Sequence, residues 1–308
     1  MRHLLIDTDT GSDDAVALLM AMKSPDVKVE VITIVAGNVP ADKALQNALY
    51  MVDLCQYETK VYLGAEKPLI RPLFTAQFVH GDDGMGDIGL DLKGRKPLEG
   101  HAVDAIIDTV NKFPNEIEII TLGPLTNMAL ALAKAPEIAS KIKSCVIMGG
   151  VGLGYGNITP VSEYNIWVDP EAAQMVFQSG MNMTMVGWDI SIKYAAFDQK
   201  ATQELRNIQK PLADFVVDIQ GAKARFTSEI TGAIGFDLPD PITVGVALDR
   251  TVATDVKKLY VEVVLGEGLT RGQTIVDHTN ILKLKPNMEV VLEASREKFL
   301  TQLYASFD

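Results

Sequence analysis

The sequence predicts an α/β fold: one domain over residues 1–308, with a mostly parallel, doubly wound, Rossmann-like sheet and helices on both faces. Three observations predict it. Short runs that are apolar at nearly every position alternate with longer stretches of helical periodicity, and strands buried on both faces belong to parallel sheets covered by helices. No internal repeat, low-complexity tract or Ser/Pro linker interrupts that alternation. The composition, 47% hydrophobic and 22% charged over 308 residues, excludes a disordered chain, a collagen and a small disulfide scaffold.

The elements follow in order. Leu4 to Ile6 is a first strand and Ala15 to Met22 the helix after it. Val27 to Val35, rich in Val and Ile, is a second strand, and Ala41 to Leu54 a second helix. Val61 to Leu63 is a short strand, and residues 101–112 are helical. Ile117 to Leu122 is a strand, Leu125 to Ala133 a helix, and Ser144 to Met148 a strand again. Pro170 to Phe177 is helical, with Asp169 placed to cap it and Pro170 in its first turn. Met183 to Val186 is a strand, and helices are expected through 198–232. Strands near 259–265 and 280–284 and a helix from Ser295 close the chain.

The 28 Lys and Arg against 40 Asp and Glu give a net charge of −12, which argues against a nucleic-acid polymer as partner. Cys55 and Cys145 sit in apolar stretches without a C-x-x-C, so they read as thiols in a reducing compartment. The first apolar run, Leu4 to Ile6, is far too short for a signal peptide. No stretch approaches the roughly 20 apolar residues of a membrane span. The expectation is a soluble cytoplasmic protein without membrane contact.

Ligands of a doubly wound sheet bind beyond the carboxyl ends of its strands, so functional residues are expected just after strands. The segment LLIDTDTGSDDAVALL, residues 4–19, meets that condition. Asp7 and Asp9 lie two apart at a strand end and tend to point the same way. Gly11 permits a tight turn. Asp13 and Asp14 open a helix, where the dipole and free N–H groups favour anions. Carboxylates so close ionise together only around a cation, and an all-oxygen set suits Ca²⁺ or Mg²⁺ rather than zinc. One such Asp alone would read as a helix cap. An EF-hand loop from Asp7 fails, because Ser12 and Leu18 stand where Gly and Glu are required. The D-x-D of haloacid-dehalogenase-type phosphatases fails at Gly11, where that pattern has Thr or Val.

The segment resembles the D-x-D-x-G-x-D-D opening of the inosine-uridine-preferring nucleoside hydrolase family. Further blocks recur in the same order: Asn38 in Val-Ala-Gly-Asn-Val, His80 before GDDGMG, Gly123 to Asn127, Met148-Gly149-Gly150, Asn157, Glu163-Tyr164-Asn165, Asp169 to Ala173, and Asp240-Pro241. The resemblance implies the nucleoside hydrolase fold and hydrolysis of the N-glycosidic bond of ribonucleosides to ribose and free base. It implies Ca²⁺ held by Asp9, Asp14 and Asp240 with the Thr126 carbonyl, and a water activated by Asp9 as general base. Asp13 would accept the ribose 2′-hydroxyl, and Asn165 would hold the same edge. Asn157 and Glu163 would bind the 5′-hydroxyl side, and Asn38 would lie near metal and sugar. Met148 would touch the ribose, His80 sugar or base, and Asp7 would orient the loop. The building of positive charge on the ribose ring suits a wall of carboxylates. A homodimer or homotetramer serving nucleoside salvage is the expected setting.

The sequence departs from the family where the base must leave. Many members place a His, as general acid, directly before the late metal Asp; here that residue is Pro239, which cannot donate a proton. Other members use tyrosines on the late helix, and none lies between Ala213 and Asp240. Trp188, just after a strand, is the aromatic candidate for the base; Trp167 reads as core. Arg225 and Phe226 are further candidates, whereas His3, His101 and His278 carry no motif. Two rivals stay open: a ribosyl-binding member with weak turnover, and a metal-dependent phosphohydrolase.

Overall fold

A computed structural model describes residues 1–232 and 234–308. The first half contains β1 (Arg2–Thr8), α1 (Ser12–Lys23), β2 (Val27–Ile34), α2 (Ala41–Leu54), β3 (Lys60–Leu63), α3 (Gln77–His80), α4 (Ala102–Lys112), β4 (Ile117–Thr121), α5 (Thr126–Lys134) and β5 (Ser144–Met148). The middle contains α6 (Tyr164–Val168), α7 (Pro170–Phe177), β6 (Met183–Val186), α8 (Trp188–Tyr194), β7 (Ala196–Phe197), α9 (Gln199–Arg206), α10 (Pro211–Ile219) and α11 (Gly221–Thr231). The chain closes with β8 (Phe236–Asp237), α12 (Pro239–Leu248), β9 (Ala253–Leu259), β10 (Val261–Val263), β11 (Thr274–Val276), β12 (Met288–Ala294) and α13 (Arg296–Ala305).

Eight strands form the central sheet in the order β3-β2-β1-β4-β5-β6-β12-β9. Every pairing is parallel except β12 with β9, which is antiparallel at the edge. That edge carries Asp255, Lys257 and Lys258, charges that suit an unpaired strand flank. The expected α/β architecture is the observed one. Its apolar strands serve two layers at once: Leu4 and Ile6 enter one buried cluster and Leu5 the other. That is why polar alternation is missing from the central strands.

One expectation for the last third is corrected. Residues 280–284 form no strand, and Ile281 and Leu284 stand exposed. The eighth strand is instead Met288–Ala294. Glu289 and Glu293 disguise it in the sequence, but each carboxylate has a cationic partner: Arg250 for Glu289 and Lys193 for Glu293.

The sheet positions the site through β1. This strand is central, flanked by β2 and β4, and it delivers residues 9–14 to the carboxyl edge. Gly11 precedes α1, and the Asp14 carboxylate accepts its backbone N–H at 2.9 Å. α12, buried from Pro239 to Ala247, packs along α1 and brings Asp240 to the same edge. No helix among the described residues is long and apolar enough to cross a membrane.

Candidate active site

Beyond the carboxyl ends of β1, β4 and β5 lies a cavity of about 660 Å³. Nine of the residues expected from the sequence line it: Asp13, Asn38, His80, Met148, Asn157, Glu163, Asn165, Trp188 and Asp240. Asp9 and Asp14 are fully buried behind Asn38, whose backbone N–H reaches Asp9 Oδ2 at 2.6 Å and whose Nδ2 reaches Asp14 Oδ2 at 3.0 Å.

Carboxylate oxygens of Asp13, Asp14 and Asp240 lie within 4.8 Å of one another. Burial, then mutual repulsion, raises Asp9, Asp14 and Asp240 above the usual carboxylate range, Asp14 to about 7. Burial is the largest influence on Asp13 too, but the Lys223 ammonium at 2.9 Å, His80 and a backbone hydrogen bond together hold that carboxyl below its usual range. Two oxygens in this nest, Asp9 Oδ1 and Asp13 Oδ1, are buried with no hydrogen-bond partner. Orphaned carboxylate oxygens are costly unless something binds them. An all-oxygen set with spare lone pairs fits a hard divalent cation. Lys223 holds Asp13 Oδ2; the carboxylates grouped closely enough to hold such a cation are those of Asp13, Asp14 and Asp240, and Asp9 is not in that group.

Thr126 begins α5, and its hydroxyl donates to Asp169 Oδ2 at 2.7 Å, so its backbone carbonyl, not its side chain, stays the candidate donor. Leu122 lines the cavity, and its carbonyl accepts Asn165 Nδ2 at 2.7 Å. Asp169 both caps α7 and accepts the Thr126 hydroxyl.

The remaining polar residues are held by local structure. Glu163 caps α6, accepting N–H groups from Asn165 and Ile166 and from Gly150, and burial raises its carboxyl to about 7. Asn157 Oδ1 accepts the Tyr164 N–H at 2.9 Å. Asn165 Nδ2 also contacts Met148 Sδ at 3.2 Å. His80 ends the short α3, with Nδ1 at 3.1 Å from Ser12 Oγ, and burial lowers its pKa to about 4, leaving it neutral. Asp7 lies outside the wall, fixed by Thr33 and Asn127, as a residue that orients the loop would be.

The other half of the cavity is apolar and aromatic. Phe78 meets Phe226 edge-on at 5.4 Å, and Tyr155 meets Trp188 edge-on at 5.6 Å. Phe226 lines the wall and Arg225 does not, whereas Trp167 packs away from it, under Arg271 and against Phe74. Sequence reasoning passed over Leu122, Tyr155, Phe78 and Lys223. Lys223, Phe226, Thr227 and Ile230 follow an i, i+3, i+4, i+7 stripe on α11, all facing the cavity. That stripe was the available signal.

Comparison with known proteins agrees with this geometry. Residues 4–301 match the model of the inosine-uridine preferring nucleoside hydrolase family. The pyrimidine-specific ribonucleoside hydrolase RihA of Salmonella newport is 38% identical over 302 residues, 97% of this chain and 96% of that one. The purine-preferring ribonucleoside hydrolase from Gardnerella vaginalis superposes with a TM-score of 0.90 at 34% identity, covering 99% and 98% of the two chains. A plant nucleoside hydrolase, PpNRh1, superposes with a TM-score of 0.92 at 31% identity over the same shares. With a strand-end acidic nest, a sugar-sized polar pocket and a matching chain along nearly its whole length, this protein belongs to the inosine-uridine preferring nucleoside hydrolase family, enzymes that hydrolyse N-glycosyl bonds.

Proposed function

We propose that the chain hydrolyses ribonucleosides to ribose and free base with a Ca²⁺ ion in the nest of Asp9, Asp14 and Asp240. The observation that carries this reading is the pair of buried, unpartnered oxygens, Asp9 Oδ1 and Asp13 Oδ1, at the polar end of a half-aromatic cavity. The Thr126 backbone carbonyl is the neutral oxygen donor of this proposal. A bound cation of this kind supplies a water of lowered pKa and a grip on hydroxyl oxygens.

The protein's own residues do the rest. Asp9 Oδ1 accepts a proton from the attacking water, a role suited to a carboxyl whose affinity for protons burial has raised. Asp13 offers Oδ1 to the ribose 2′-hydroxyl while Lys223 holds Oδ2. Asn165, Asn157, Asn38 and Met148 shape the sugar pocket, with Glu163 fixed beside them. As the C1′–N bond opens, the ring gains positive charge, and the carboxylate wall stabilises it more than it stabilises the neutral substrate. Trp188, Tyr155, Phe78 and Phe226 supply apolar walls for the base and keep water out. Nucleoside salvage and a homodimer or homotetramer are the setting we assign; exposed Leu269, Ile281 and Leu284 offer apolar area for subunit contact, and sedimentation of the purified chain tests it.

Free ribose released from inosine, adenosine, uridine and cytidine, with Ca²⁺ and after chelation, tests the reading. Release that disappears on chelation is expected. Pro239 favours one second reading, a ribosyl-binding protein with weak turnover; ribose binding by calorimetry with no release from any of the four would establish that instead.

A further inference from the structure

With Pro239 at the position before Asp240, the departing base needs another partner. Among the described residues lining the cavity, Lys223 is the sole Lys or Arg. Its Nζ lies where the polar and aromatic halves meet. It donates to Asp13 Oδ2 at 2.9 Å on the sugar side and to the Asp237 carbonyl at 2.8 Å, with Asp237 Oδ1 at a longer 3.3 Å. The same helix face continues as Phe226 and Ile230 along the aromatic half.

Asp237 is itself fixed: Trp188 Nε1 and Ser191 Oγ both donate to its Oδ2, at 2.9 and 2.8 Å. Trp188 therefore has no N–H left for a base. His80 sits on the far side of Asp13, with Nδ1 at 3.6 Å from Asp13 Oδ1 and 3.1 Å from Ser12 Oγ. One ammonium thus stands between the sugar's anchoring carboxylate and the base wall, held by two hydrogen bonds and a longer ion-pair contact to Asp237 Oδ1 that is free to exchange.

Given the hydrolase reading above, we propose that Lys223 is a catalytic residue that stabilises the leaving base. The C1′–N bond breaks with its electron pair passing to the base. The water oxygen bonds to C1′, and Asp9 takes one water proton. Lys223 turns its third N–H from Asp237 Oδ1 to the anionic base and stays protonated throughout. The base gains its proton from solvent on release, and Asp9 returns its own, so the balance is nucleoside plus water to ribose plus base. A preorganised donor aimed at developing charge is worth on the order of 10²- to 10³-fold in rate.

The test compares two leaving groups on one sugar. Uridine and inosine lose a poor leaving group, whereas 4-nitrophenyl β-D-ribofuranoside loses a phenolate that departs unaided. Both share every ribose contact, so any effect of Lys223 through Asp13 cancels in their ratio. In Lys223→Met, kcat on the nucleosides should fall about 10²-fold or more, and kcat on the nitrophenyl riboside by less than about tenfold. Lys223→Arg, which keeps the charge, should recover part of the nucleoside rate. Should Lys223→Met show no cooperative melt, Lys223→Gln is read by the same ratio, since an amide still bonds the two aspartates. Equal losses on both substrates, or no loss on nucleosides, would overturn the role of Lys223 and leave the hydrolase reading intact. A wild-type protein that frees ribose from neither substrate would remove both.

Discussion

Gly37→Ala tests the placement of Asp9 without touching the carboxylate. A Cβ on Gly37 would fall 2.1 Å from Asp9 Oδ2, 2.9 Å from its Cγ and 2.8 Å from Pro124 Cδ. Ordinary contact begins at 3.4 Å, so the shortfall is about 1.3 Å. Asp9 has no room to retreat, because Gly123 closes on its other side: a Cβ there would meet Oδ1 at 2.7 Å. The carboxylate must therefore rotate or its strand end must shift by about 1 Å. Displacement of that size costs about 10²-fold in rate, or about 2.7 kcal/mol in the barrier, with a further ~1–3 kcal/mol of stability lost to overpacking. kcat/KM for ribose release and a thermal melt separate the two effects. Gly266→Ala is the control, since its added methyl meets open space at an ordinary φ. A Gly37→Ala protein within about threefold of wild type in kcat/KM would refute the argument that catalysis needs Asp9 where it stands.

Three further outcomes are expected. Ca²⁺ at a hundredfold excess over its Kd should stabilise the fold by about 2.7 kcal/mol and raise Tm reversibly under chelation; a Tm indifferent to every divalent cation tried would sink the metal site. Burial raises Glu163 from 4.5 to about 7, so its contribution is fully present below pH 4.5 and is lost as pH rises towards 7. This group should thus account for a loss of about 3 kcal/mol across that window, and denaturant titrations of Glu163→Gln should show a correspondingly flatter pH slope; coinciding slopes would contradict it. Phe177→Ala, at a fully buried core position, should cost about 3–5 kcal/mol by chemical denaturation, and a loss below about 1 kcal/mol would mean the site collapses around the gap.

The sheet and the acidic turn were legible because both are local. Apolar runs of four to eight residues declare buried strands on their own, and residues 7–14 carry their carboxylates within one turn of chain. What escaped reading depends on partners far away. Lys223 looks like a solvated helical lysine until Asp13, 210 residues distant, is placed beside it. Glu289 and Glu293 break the apolar run of β12 until Arg250 and Lys193 neutralise them. The Gly-rich stretch after His80 reads as mobile, yet Asp83 and Asp87 collect its backbone N–H groups and pack it down.

The position of β1 at the centre of the sheet has a consequence for how the chain folds. Its acidic turn is made in the first 14 residues, but the ammonium beside Asp13 arrives with residue 223 and the helix that roofs the turn with residue 239. Until those segments dock, four carboxylates crowd one strand end without a counter-charge, and their repulsion opposes closure. Contacts of such sequence separation carry a large loop-closure cost, which slows folding. During synthesis on the ribosome, the nest can be completed only after Lys223 and Asp240 have been made.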